Sequence, residues 1–83
     1  MNKLFFVSYD LIAGKNYSKI SSKLQSMRAE KVLLSLWALR GNYTASTLLD
    51  TLKAYVDSDD RLLVIESNDW ASIRALVDVN KVA

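Results

Sequence analysis

Asp10 closes an apolar run, Leu4-Phe5-Phe6-Val7 followed by Ser8-Tyr9, and it is the first residue of this chain whose type and position suggest chemistry. A run this short and this apolar predicts a strand buried on both faces. The carboxylate then stands at the C-terminal end of a rigid element, at the rim of a sheet. A hard oxygen ligand on such a support suits Mg²⁺ or Mn²⁺, which binds through one or two carboxylates together with phosphate oxygens and water. The same carboxylate can instead accept hydrogen bonds from the backbone of its own loop, as Asp does in turns. Lys15, Lys19 and Lys23 recur every four residues. Lys19 and Lys23 therefore line one face of a helix, and Arg28, Lys31 and Arg40 could extend a basic surface. Nucleic-acid phosphates bind to such stripes, although an ordinary solvated helix face carries the same pattern.

Other groupings carry less. Asp57, Asp59 and Asp60 resemble a calcium loop only superficially, because the EF-hand progression needs a Gly after its third acid and a distal Glu. An acidic turn that ends a helix is the simpler reading. The chain has no His and no Cys. That excludes a His-based nucleophile triad, an ordinary zinc site and disulfides. No glycine-rich phosphate loop or dinucleotide fingerprint is present. Trp37 and Trp70 offer flat faces for base stacking, or serve as core or dimer contacts.

The elements that must position these residues are legible from periodicity. Residues 3–9 form the first strand, and 10–16 a loop around Gly14. Asn16 is a plausible helix cap, followed by Tyr17, Ile20, Leu24 and Met27 at helical spacing, so a helix runs to about Arg28. Residues 32–39 read as one long strand, or as two short ones with a tight turn near Leu34-Ser35. Thr44 caps a second helix with Leu48, Leu49, Leu52, Tyr55 and Val56 on its apolar side. The acids from Asp57 to Asp60 stop it, being unfavourable at the negative end of the helix dipole. Residues 61–66 hold Leu62-Leu63-Val64-Ile65, another buried strand. After Asn68 or Asp69, the tail is a short helix with Trp70, Ile73 and Val77 on one face, an irregular segment, or a strand that pairs with a partner chain.

Eighty-three residues make one small domain spanning 1–83, marginal on its own. Yet 51% of the residues are hydrophobic, with two Trp, four Tyr and two Phe, so some apolar surface is expected to serve an oligomer interface. No stretch reaches the roughly 18 apolar residues of a membrane helix. No signal peptide is expected, and the lack of Cys fits a cytoplasmic protein. Residues 1–40 carry seven basic and two acidic side chains, residues 41–83 four basic and seven acidic ones, an asymmetry that can mark an anion-facing side.

Strand, helix, one or two strands, helix, strand is the order of a ferredoxin-like βαββαβ sandwich of the α/β (α+β) class, one sheet with both helices on one face. Strands apolar on both sides then require a cover for the bare face, and the simplest cover is a second copy of the chain about a two-fold axis.

With that order in place, Tyr9-Asp10-Leu11, Gly14, Tyr17, the step from Ser35 to Trp37 and the acidic turn Asp57 to Arg61 leading into Leu62-Leu63-Val64-Ile65-Glu66 resemble the small CRISPR-associated Cas-two-like proteins and their relatives, the virulence-associated protein D ribonucleases. The resemblance covers about residues 3–70. It implies a ferredoxin-like homodimer in which Asp10 of each subunit meets its mate across the two-fold, binds a divalent metal and supports phosphodiester cleavage. Family members also act without catalysis, as dimeric scaffolds gripping duplex DNA. The chain departs from the family pattern in having Leu11-Ile12-Ala13-Gly14 where many members place Arg and Lys, and Arg28-Ala29-Glu30 where a Gly often precedes the second strand. With that thin basic cluster and no metal ligand evident beyond Asp10, the reading favours a homodimer that binds nucleic acid, through Lys15, Lys19, Lys23 and Arg40, or a protein partner, without catalysis. The alternative is a metal-dependent endonuclease using Asp10 from each subunit, with a CRISPR or toxin–antitoxin setting for either.

Overall fold

The computed structural model describes residues 3–11 and 17–83. Its elements are strand β1 (Lys3–Asp10), helix α1 (Ser18–Ser26), strands β2 (Glu30–Leu33) and β3 (Leu36–Gly41), helix α2 (Ala45–Leu52) and strand β4 (Arg61–Ser67). Residues 32–39 are thus divided between two strands, and the turn at Leu34-Ser35 leaves Leu34 86% exposed. All strand pairs are antiparallel, in the order β2-β3-β1-β4. The class is α+β, with one four-stranded sheet and two helices.

Side-chain alternation divides the sheet into two faces. Phe5 and Val7 of β1 stand opposite Leu39 and Trp37 of β3. They join Ile20 and Leu24 of α1 and Leu48 and Leu52 of α2 in one buried cluster. Both helices therefore cover the same face. The helix-free face carries Leu4, Val32 and Ala38, which are buried against Val79 and Val82 of the C-terminal segment, with Phe6, Leu36, Trp70 and Val77 packed around them.

Helix ends follow from local chemistry. Thr44 caps α2 by accepting from the Thr47 amide at 3.1 Å, while the Thr44 amide donates to Thr47 Oγ1 at 3.0 Å, a reciprocal capping box. At the start of α1, Tyr17 occupies the cap position and contributes no side-chain bond; Asn16, the cap expected from sequence, lies outside the described residues. The C-terminus of α1 closes through the Arg28 amide to the Gln25 carbonyl and the Ala29 amide to the Leu24 carbonyl, both at 3.0 Å. This is a Schellman motif with Arg28 at the left-handed position, φ 64°. At the end of β3, the Tyr43 ring folds over Gly41, where a Cβ would run into it.

The tail is not a helix. Beyond β4 it is irregular except for one 3₁₀ turn at Val79–Lys81. Asp69 Oδ1 accepts from the very next amide, that of Trp70, and Arg74 is left-handed at φ 52°, which no helix accommodates. Packing on the sheet, rather than helical periodicity, sets which of its side chains turn inward.

Candidate functional site

Antiparallel register with β4 sets Asp10 directly opposite Arg61. By alternation Asp10 shares the helix-free side with Phe6 and Ser8. Ser8, Tyr9, Asp10, Arg61, Leu62 and Leu63 line an open recess of about 250 Å³ at this end of the sheet. Asp10 is exposed. Ser8 Oγ donates to the Ser35 carbonyl at 2.9 Å, tying the β2–β3 turn to the same rim. Tyr9 points to the opposite side, where its hydroxyl accepts from Trp37 Nε1 at 3.1 Å and its ring lies 5.7 Å from that of Tyr17. Tyr9 and Trp37 thus lock strands to one another within the helix-covered core, and Trp37 has no free face for a base.

One exposed carboxylate with a guanidinium across the strand does not make a divalent-metal site by itself. Metal ligation needs further oxygen donors, and among the described residues Asp10 is the sole acid lining the recess. A second Asp10 would have to come from another copy. The sequence gives no sign of Arg61 as a site residue, because only the register brings it to Asp10; its place at the head of an apolar strand gives no hint of its neighbour.

The basic residues do not converge. Lys19, exposed on α1, lines a groove of about 450 Å³ that also holds Asp57 and Asp60. Lys23 extends over the Tyr55 ring, its Nζ 5.3 Å from the centroid, a cation–π contact in the last turn of α1. Arg40 lies on the other face of the sheet, where its Nε donates to the Val82 carbonyl at 3.0 Å. Lys15 falls outside the described residues. Two of the four expected phosphate contacts therefore share a helix, and one instead fastens the tail.

The carboxylates of Asp57, Asp59 and Asp60 lie within 4.8 Å of one another. The Asp60 carboxylate accepts from the Asp57 amide at 2.7 Å, and the Asp60 amide donates to the Asp57 carbonyl at 3.1 Å. These bonds build the turn that leads out of the helix and into β4. Among the described residues no helix is long and apolar enough to cross a membrane. No protein-family model matches the chain, and no solved structure matches it.

Proposed function

We propose that this chain is a ferredoxin-like βαββαβ domain that assembles as a Cas-two-like homodimer through the helix-free face of its sheet and binds nucleic acid or a protein partner without catalysis. The carrying observation is that face: Leu63 and Ile65 remain 57% and 48% exposed, beside Phe6, on β4, which is expected from its apolar run to be buried but has no fully buried residue, only Leu62 and Val64 half-buried against the helix-covered cluster. The strand order β2-β3-β1-β4 and the shared cluster of both helices support the ferredoxin-like reading. The lone carboxylate in the Asp10 recess favours binding over metal-dependent cleavage.

The test is binding of short labelled RNA and DNA across a salt series, with Mg²⁺ present, for wild type, Asp10→Ala and the pair Lys19→Glu with Lys23→Glu. The expected result is salt-sensitive binding without cleavage, unchanged in Asp10→Ala and weakened about tenfold or more in the lysine pair. Cleavage that disappears in Asp10→Ala or in EDTA would overturn this reading in favour of a two-Asp10 endonuclease. Binding that ignores salt would point to a protein partner.

A further inference from the structure

The C-terminal segment leaves the end of β4, crosses the helix-free face to β2, where the Leu76 amide donates to the Val32 carbonyl at 2.8 Å, and returns to β3, where Arg40 holds the Val82 carbonyl. It covers apolar residues on three of the four strands, Leu4, Val32 and Ala38 among them. Its hold is slight. Val79 and Val82 are its only buried side chains, while Ile73 is 73% exposed. Beneath it an apolar groove of about 510 Å³ runs between Trp70 and Ile73 above and Phe6, Val32 and Leu36 below. A segment with few buried contacts and little regular structure belongs to the low-stability end of a fold and opens locally before the rest.

We infer that residues 68–83 are a detachable strap that competes with a second copy of this chain for the helix-free face. The inference rests on the homodimer reading above and says what gates it. Area ranks the two states. Four strands about 4.8 Å apart and about six residues long give a face of roughly 400 Å² in projection. With the strap across three strands, only about a quarter of that is open, whereas a specific interface takes about 800 Å² of accessible surface from each partner. Freed, Leu4, Phe6, Val32, Leu36 and Ala38 join Leu63 and Ile65 in one apolar patch flanked by the polar rims at Asp10–Arg61 and at Arg40, and the whole face comes within about a factor of two of that requirement. A docked strap and a face-to-face dimer exclude each other over β1, β2 and β3.

The test uses the full chain, in three forms besides wild type. Val79→Asp with Val82→Asp sets charges where the strap meets the apolar face and ejects it. Val82→Asp alone is the milder form. Asn80→Asp adds a charge at an exposed position of the strap outside the groove and serves as control. Amide exchange at Leu76 reports strap release, and sedimentation velocity over a concentration series reports self-association. The double variant is expected to raise both Leu76 exchange and the association constant at least about tenfold, Val82→Asp less, and Asn80→Asp neither. Faster exchange with unchanged or weaker association overturns the competition, as does exchange that fails to rise. If wild type and double variant form equally tight dimers, the homodimer reading stands and the strap fails. If no form associates at any concentration, both fail.

Discussion

The two faces of this sheet carry similar apolar side chains under unlike covers. On one, Phe5, Val7, Trp37 and Leu39 meet four buried helix residues, Ile20, Leu24, Leu48 and Leu52, each the product of a helical period. On the other, Leu4, Val32 and Ala38 meet Val79 and Val82, two residues of a segment that is irregular apart from one 3₁₀ turn. A helix delivers a side chain to the sheet every three or four residues and satisfies its own backbone while doing so. An irregular strap delivers few, and its amides must find partners singly, as Leu76 does on Val32. The first cover shares one buried cluster with the sheet; the second touches it through two buried side chains.

That contrast is broken most sharply by truncating one residue on each side. Phe5→Ala removes a fully buried ring from the helix-covered cluster and is expected to cost about 3–5 kcal/mol, seen as a lower midpoint for the whole molecule in urea. Val79→Ala deletes less, and its cost is further limited because the strap can detach once docking is lost. A loss of about 1–2 kcal/mol is expected, appearing chiefly as faster amide exchange at Leu76 and little as a shift of the global midpoint. Equal global shifts would show the two covers to be one cooperative unit.

How much of this was legible in the sequence depends on the range of the contacts involved. The strand at Leu62 to Ile65 and the cap at Thr44 are local, written in a run of apolar residues and in a hydroxyl at the start of a helix, and the structure has both. The division of residues 32–39 was half legible: the turn near Leu34-Ser35 was one of two readings, and pairing of β2 with β3 decides for it. Placement of Arg40 apart from Lys19 and Lys23 was not legible, because it depends on strand alternation and on which face both helices choose. Nor was Arg61 beside Asp10, a matter of register between strands far apart in the sequence. The tail was legible only as three alternatives, of which the irregular one holds: Trp70, Ile73 and Val77 have helical spacing, but Val79 and Val82 are the residues buried on the sheet.

A smaller effect sharpens the helix-covered side. Tyr9→Phe keeps the half-buried ring and removes the acceptor for Trp37 Nε1. Leaving that indole N–H without its partner is expected to cost about 1–1.5 kcal/mol. Trp37 fluorescence should move with it, since the indole lies 4% exposed in the core. A neutral result would mean that the Tyr9 hydroxyl is replaced by water at no loss.

The smallest expected change is a gain, at the point where α1 turns into β2. Arg28 holds a left-handed φ of 64°, a conformation that costs a side chain about 1–2 kcal/mol and glycine almost nothing. The Schellman bonds to Gln25 and Leu24 fix it there, and Leu24 and Ala29, which flank the motif, are both buried, so the backbone cannot relax without opening the core. Arg28→Gly relieves that strain and loses part of the benefit to the greater freedom of glycine in the unfolded chain, about 0.5–1 kcal/mol. The net expectation is a stabilisation of roughly 0.5–1 kcal/mol, or about 3–6 °C in Tm for a domain of this size. Arg28→Ala separates geometry from charge: it removes the same cation but keeps a Cβ at positive φ, so it should bring no gain. If both substitutions stabilise equally, repulsion among Lys19, Lys23, Arg28 and Lys31 is the cause, and added salt should then raise the wild-type Tm by the same amount. If only the glycine does, the gain belongs to the backbone, and Arg28 holds its left-handed position at a measurable expense in stability.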